Sequence, residues 1–175
     1  MFRKNVSRLR TVVWEARDDR DAYTGKSRRA LAEDHQNVDH VIEVQLIEFA
    51  AGDALAAHAG LAARFCEVVN TPANLNVTSR EINQAKKGPF TAALNRLKKR
   101  DGTLRSISVE QLARTGRAKW LVEKGVWARI EKETVASYDA VETTLNSQRL
   151  TRAHTKALEI ALDNLHTTME TIKLF

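Results

Sequence analysis

The chain contains a single cysteine, Cys66, among its 175 residues. A lone cysteine excludes an intramolecular disulfide and a zinc site built from cysteines. No apolar run approaches the ~20 residues that a membrane-spanning helix needs, so we expect no membrane association. The sequence also lacks internal repeats and low-complexity linkers. Its apolar residues, 43% of the total, are sufficient for a hydrophobic core.

The first residues, Met1 to Asn5, include two positive charges and lack the apolar stretch of a signal peptide. We therefore expect a protein of the cytoplasm or the nucleus. A secreted effector or toxin is the alternative that the sequence leaves open.

The formal net charge is +6, but the charges are distributed unevenly. Lys and Arg outnumber Asp and Glu by 9 to 4 in residues 1–32 and by 14 to 5 in residues 80–132. In residues 33–79 the acidic residues dominate by 7 to 1. An acidic stretch attracts cations and basic flanks attract polyphosphate, so this pattern favours a nucleic-acid partner. The alternative is an ordinary basic protein with solvated helix faces.

Residues 38–47 are rich in β-branched side chains and predict a strand. Near its start a carboxylate and an imidazole stand side by side, at Asp39 and His40. Because side chains alternate across a strand, these two can serve one site only at a strand end or a bulge. A site shared by this pair therefore requires one of those two irregularities.

A second segment, residues 74–89, predicts a short strand followed by a short helix. The strand covers residues 75–77, and Thr78 is the expected N-cap of the helix in a capping box. Gly88 and Pro89 are typical of the positions just beyond a helix end. The helix is therefore expected to have about two turns, which is marginal without packing or a ligand.

The remaining chain shows mainly helical periodicity. We expect helices over residues 4–17 and 53–69, and a C-terminal half that is mostly helix. The expected fold class is therefore α+β and mainly helical, with a two-stranded hairpin and a short helix embedded in a helical scaffold that has long C-terminal helices. Residues 1–100 are expected to hold the strands and the N-terminal helix, and residues 101–175 to form a helical extension within one compact unit.

Two segments together supply the groups that phosphodiester hydrolysis requires. The reaction needs a base near neutral pH, neutralised phosphoryl charge and a stabilised leaving oxygen. His40 is a suitable base, because an ordinary imidazole has a pKa of about 6.5. Mg²⁺ prefers oxygen ligands and retains water, so Asp39 and the amide of Asn83 can hold it. Asn74 can orient His40 by accepting a hydrogen bond from its ring.

The order Asp39-His40, Asn74 and then Asn83, nine residues later, resembles the HNH (ββα-metal) endonuclease family in its HNN variant. The resemblance covers about residues 22–90. It implies that Asp39 and Asn83 bind the metal in a one-metal mechanism. It also implies that His40 is the general base and that Asn74 orients it.

The resemblance further implies a divalent cation as cofactor. Asn83 stands where many relatives have histidine, which favours Mg²⁺ or Mn²⁺ over softer metals. Many members also carry a zinc-binding cysteine pair at a turn before the motif. The turn at residues 23–26 lacks cysteine, so no structural zinc is expected.

Six basic residues in and after the motif are the expected contacts to the nucleic-acid backbone. They are Arg80, Lys86, Lys87, Lys98, Lys99 and Arg100. DNA is the expected substrate and RNA the alternative. The sequence predicts no particular oligomeric state.

Two other functions remain open from the sequence: a nucleic-acid-binding module without catalysis, and a helical protein-interaction domain. Two further side chains also have alternative roles. His35 is either a second metal ligand or a solvated loop histidine. Glu43 is either an additional carboxylate near the metal or a partner in a salt bridge.

Overall fold

A computed structural model describes residue 2 and residues 4–99 and 107–175 of the chain. Within these residues the protein is mainly helical and contains a two-stranded antiparallel sheet, which confirms the predicted α+β class. The strands are β1 (Gln36–His40) and β2 (Leu75–Ser79). The helices are α1 (Arg10–Ala16), α2 (Val44–Ala56), α3 (Ala59–Val69), α4 (Arg80–Lys98), α5 (Val109–Thr115), α6 (Lys119–Glu123), α7 (Val126–Asn146) and α8 (Arg152–Thr171).

The sheet and the helix after it form a ββα unit. Asp39 of β1 lies opposite Asn76 of β2, and His40 lies opposite Leu75. The two strands do not form a tight hairpin, because α2 and α3 lie between them in the chain. α4 begins directly after β2 and packs against both strands. This arrangement brings the end of β1 next to the first turns of α4.

The predicted strand over residues 38–47 is too long at its C-terminal end. β1 ends at His40, and α2 begins at Val44. Val44, Leu46 and Ile47 lie in the first turn of α2, and all three are buried. A short apolar run does not by itself distinguish a strand from a buried helix, which explains the error.

Two predicted helices also have different bounds. The helix expected over residues 53–69 is the end of α2 followed by α3, with a break at residues 57–58. The helix expected over residues 4–17 is shorter, because α1 begins at Arg10 after a single 3₁₀ turn at Ser7–Leu9.

The predicted end of α4 is also wrong. The helix continues through Gly88 and Pro89 as far as Lys98. Proline inside a helix costs about 3 kcal/mol, but here the next turns bury Phe90 and Leu94 in the core. The N-cap is Ser79, whose hydroxyl accepts from the Ile82 amide at 3.2 Å, and Thr78 is still part of β2.

The two faces of the sheet differ in polarity. One face carries Leu75 and Val77, which pack with Val13 and Trp14 of α1 in a small apolar cluster. The opposite face is directed toward α4. α1 thus covers the apolar face, and the polar face lies between the sheet and α4.

A second and larger hydrophobic core contains residues from both 1–100 and 101–175. α8 packs against α2, and α7 packs against α3. The same core cluster includes Phe65 of α3 and Leu165 of α8. None of the described helices combines the length and the apolar character that a membrane crossing requires.

Candidate active site

The polar face of the sheet consists of four side chains. Opposite residues of an antiparallel pair point to the same face, and so do alternate residues of one strand. These residues are therefore Asn37 and Asp39 of β1, with Thr78 and Asn76 of β2. Asp39 is only 4% exposed, while Asn76 and Thr78 are fully buried. Buried polar groups need partners, and the partners come from α4 and from the turn before β1.

The turn at residues 23–26 is held to the sheet by Asp21. This carboxylate is fully buried and accepts from the Thr24 hydroxyl, the Asn76 amide and the Thr78 hydroxyl, at 2.6 to 3.0 Å. The arrangement fixes Tyr23, whose hydroxyl donates to Asp39 Oδ2 at 2.7 Å. A buried carboxylate thus ties this turn to β2.

Lys86 of α4 lies fully buried beneath the end of β1. Its Nζ is 2.7 Å from Asp39 Oδ2 and 3.2 Å from Glu43 Oε1. It also donates to the carbonyls of His40 and Val41, at 2.6 and 3.1 Å. The prediction that Lys86 contacts a nucleic-acid phosphate is therefore wrong, because its ammonium is enclosed by protein oxygens.

The charges in this cluster shift one another's pKa. Burial alone would lower the pKa of the Lys86 ammonium, but the Asp39 and Glu43 carboxylates outweigh burial and raise it. Burial raises the pKa of the Glu43 carboxyl, against the opposing effect of Lys86. Burial, followed by the charge of Asp39, raises the pKa of the Tyr23 hydroxyl. Lys86 therefore stays charged at neutral pH and holds Asp39 in place.

Asp39 and Asn83 each retain one oxygen that the fold does not use. Tyr23 and Lys86 both engage Oδ2 of Asp39, and Oδ1 accepts no hydrogen bond from any described residue. The Asn83 amide nitrogen donates to Asn37 Oδ1 at 3.0 Å. This contact fixes the amide orientation, and Asn83 Oδ1 likewise accepts no hydrogen bond within the described part of the chain.

Both residues line a cavity of about 440 Å³ at the end of β1. Its walls also include His40, Glu43 and Lys87. His40 is the last residue of β1, so it borders the same cavity as Asp39 although strand alternation gives the two side chains opposite faces. The strand end thus meets the condition under which this pair can share a site.

Asn70, at the end of α3, determines which nitrogen of His40 carries a proton. The Asn70 amide nitrogen donates to the carbonyls of Phe2 and Cys66, at 2.9 and 2.6 Å. Its Oδ1 must then be the atom that accepts from His40 Nε2, at 2.9 Å. A neutral imidazole bound in this way has its proton on Nε2, and Nδ1 is the basic nitrogen.

Asn74 does not contact the His40 ring, so the predicted orienting contact is wrong. Its side-chain oxygen accepts from the Ile42 amide at 2.7 Å, and its nitrogen donates to the Val69 carbonyl at 3.1 Å. Its own carbonyl accepts from the Val41 amide at 2.8 Å. Asn74 instead holds the backbone that follows β1, and Asn70 holds the imidazole.

The other predicted nucleic-acid contacts are dispersed. Lys87 is half-buried at the cavity. Arg80 is exposed at the start of α4 and donates to the Asp34 carbonyl at 3.5 Å. Lys98 and Lys99 are exposed at the far end of α4, roughly 17 Å along the helix axis from Lys87. Arg100 lies outside the described residues.

Glu43 and His35, the two further candidate metal ligands, have different surroundings. Glu43 Oε1 is buried 3.2 Å from the Lys86 ammonium, so Glu43 is an ion-pair partner that also lines the cavity. His35 is exposed and lies 3.4 Å from Asp34, and it does not line this cavity.

The donor set fits a hard divalent cation with few protein ligands. Within the described residues, no group of three or more His, Cys, Asp or Glu side chains could hold a metal ion. Asp39 Oδ1 and Asn83 Oδ1 are two hard oxygens at one cavity, which is enough for Mg²⁺ because that ion retains several waters.

Of the predicted site residues, the structure brings Asp39, His40, Asn83 and Lys87 to one cavity. Asn74 and Lys86 lie beneath it as buried supports. Asn70 was not predicted, because an asparagine just after a helix is ordinarily explained as a helix end. In comparisons with known proteins, no family model, no curated protein and no solved structure matches this chain.

Proposed function

We propose that this chain is a metal-dependent endonuclease of the HNH type that hydrolyses phosphodiester bonds of DNA. One observation carries the proposal. Asp39, His40 and Asn83 line a single cavity, and the fold leaves one oxygen of Asp39 and one of Asn83 without a hydrogen-bond donor in the described residues. Two such oxygens at one cavity are what a cation with few protein ligands would need.

In this proposal His40 is the general base. Asn70 holds the proton on Nε2, so Nδ1 takes the proton from the attacking water. Lys86 and Tyr23 hold Asp39 through Oδ2, which keeps Oδ1 directed away from them. Lys87, at the cavity wall, supplies a positive charge for a phosphate oxygen.

Asp39 and Asn83 are the residues that would hold Mg²⁺ or Mn²⁺. When bound, such an ion neutralises charge on the phosphoryl oxygens and stabilises the leaving oxygen. Asp39 and Asn83 present two oxygens whose orientations are already fixed, by Lys86 and by Asn37 respectively.

The test is nicking of supercoiled plasmid in the presence of Mg²⁺ or Mn²⁺. We expect His40→Ala and Asn83→Ala to reduce the nicking rate by about 10²–10⁴-fold, the range for loss of a general base or of comparable active-site groups. The matched controls are His35→Ala, an exposed histidine, and Asn95→Ala, an exposed asparagine of the same helix α4. Both controls should nick like the wild type.

An unmutated protein that nicks with neither metal would contradict the proposal. Duplex binding without nicking would then favour the non-catalytic nucleic-acid-binding module. Equal loss in His40→Ala and His35→Ala would also contradict it, since the effect would no longer depend on the cavity.

A further inference from the structure

A second and larger cavity, of about 900 Å³, lies beside the first turn of α1 and the start of β1. Its charged walls come from the N-terminal segment and from the loop before β1. The charged residues are Arg8, Arg10, Arg28, Arg29, Asp19 and Glu33. We name this cavity the arginine groove.

The cations of the arginine groove are largely uncompensated. Arg8 and Arg29 are exposed, and neither forms a hydrogen bond or ion pair with another described residue. Among the described residues, the Arg10 guanidinium donates only to the Glu33 carbonyl, at 3.4 Å, and the Arg28 guanidinium lies 3.8 Å from the Asp19 carboxylate. Four guanidinium groups against two carboxylates give the groove a net charge of +2, which suits an anionic ligand.

The arginine groove adjoins the candidate active site. Ser7 lines both cavities. Gln36, the first residue of β1, lines the groove, and Asn37 and Asp39 of the same strand line the active-site cavity. Gln36 and Asp39 are three positions apart, roughly 10 Å along the strand, and their side chains point to opposite faces of the sheet. A ligand that passes over Ser7, which lines both cavities, can therefore reach both of them.

The lining also indicates which anion the groove suits. Its described residues include no aromatic side chain, so the groove offers no platform for stacking bases. Several arginines spread along a path fit a repeating phosphate backbone, because duplex DNA carries one charge per about 1.7 Å of its axis. Guanidinium groups also bind phosphate in bidentate geometry.

We propose that the arginine groove binds the phosphate backbone of duplex DNA next to the scissile phosphate. This inference rests on the proposed nuclease function for the neighbouring site. Contacts of this kind fix the position of the duplex and carry no sequence information. The arginine groove would thus position the duplex through residues other than Lys98 and Lys99, the contacts expected from the sequence.

The first test is fluorescence anisotropy with a labelled duplex in the presence of EDTA, so that binding is measured without cutting. We expect the double variant Arg8→Gln/Arg29→Gln to weaken binding about tenfold at low salt. We also expect the slope of log K against log salt to lose about 2 in magnitude, since two phosphate contacts disappear. The matched control Arg117→Gln/Arg152→Gln removes two exposed arginines that line neither cavity and should bind like the wild type.

The second test separates this inference from the proposed nuclease function. Plasmid nicking by the groove variant should show a raised KM with kcat unchanged, because the loss is one of binding. Nicking with an unchanged KM, or an unchanged salt slope, would overturn the groove while the nuclease proposal stands. Duplex binding that depends on Arg8 and Arg29 in a protein without nicking activity would support the groove and overturn the nuclease. Failure of the wild type to bind the duplex would overturn the groove.

Discussion

Lys86 brings a positive charge into the interior of the candidate active site. Lysine is almost never fully buried unless it is paired, so a sequence pattern of Lys-Lys before a glycine predicts exposed side chains. Here Lys87 partly follows that expectation, and Lys86 is enclosed by Asp39, Glu43 and two backbone carbonyls. The sequence placed both lysines in the helix of the motif. It could not show that one is buried and the other is not, because that depends on which face of α4 meets the sheet.

We expect Lys86→Met to lower the free energy of unfolding by about 3–5 kcal/mol at neutral pH. The physical reason is that the buried carboxyl groups of Asp39 and Glu43 lose the buried ammonium that pairs with both of them. The measurement is urea unfolding, with Lys87→Met as the matched control on the same helix. A Lys86→Met protein as stable as the wild type would show that the buried ion pairs contribute nothing.

The stability difference between the wild type and Lys86→Met should depend on pH. Because Asp39 and Glu43 raise the pKa of the Lys86 ammonium in the folded state, its stabilising effect is complete below the unfolded pKa of about 10.4. The effect is lost as pH rises through the still higher folded pKa. The stability difference between wild type and Lys86→Met should therefore be constant from neutral pH to about pH 9 and decrease at more alkaline pH. A difference that grows with alkaline pH would contradict this assignment.

Asn70 could not be identified from the sequence as the partner of His40, because thirty positions separate them and α2 and α3 intervene. We expect Asn70→Ala to reduce kcat of plasmid nicking on the order of tenfold to a hundredfold with little change in KM, as for other supporting contacts. Nitrogen-15 NMR should show His40 protonated on Nε2 in the neutral wild type and a mixture of tautomers in the variant. A wild-type ring protonated on Nδ1 would contradict the proposed role of Asn70.

Among the secondary-structure elements, β1, β2 and α4 depend on contacts outside their own sequence. The short strand at Leu75 and the helix that follows it were predicted from the sequence, although the N-cap is Ser79 and not Thr78. The length of α4 was not, because Gly88 and Pro89 are strong local stop signals. Packing of Phe90 and Leu94 in the core overrides those signals, and that contribution is tertiary.

Asn74 connects two of these elements, since it joins the segment after β1 to the segment before β2. We expect Asn74→Ala to lower the free energy of unfolding by about 2–3 kcal/mol, because it leaves the Ile42 amide and the Val69 carbonyl without their side-chain partner. The matched control is Asn164→Ala, an exposed position of α8, which should change stability by less than about 0.5 kcal/mol. Urea unfolding measures both. An Asn74→Ala variant with wild-type stability would mean that these hydrogen bonds do not hold the segment.

In the complete fold, the site depends on helices from both halves of the chain. α2 begins at Val44, directly after Glu43 of the site, and packs against α8. α3 ends next to Asn70, which holds the His40 ring, and packs against α7. Because both connecting helices are backed by C-terminal helices, we expect the chain to unfold as one unit.

We expect Leu165→Ala in α8 to lower the free energy of unfolding by about 2–5 kcal/mol, because the side chain is fully buried in the shared core. In hydrogen exchange, the amides of β2 should lose as much protection as those of α8 if the chain unfolds as one unit. Ile160→Ala, 45% exposed on the same helix, is the control and should have a small effect. Unchanged protection in β2 would mean that residues 1–100 and 101–175 unfold independently.

The central claim is that Asp39 and Asn83 bind one divalent ion together. Isothermal titration of the protein with Mn²⁺ tests that claim without relying on nuclease activity. We predict one binding site in the wild type, weakened on the order of tenfold or more in Asn83→Ala and unchanged in Asn95→Ala. A wild type that binds no Mn²⁺, or an Asn83→Ala variant that binds it as tightly as the wild type, would contradict the claim.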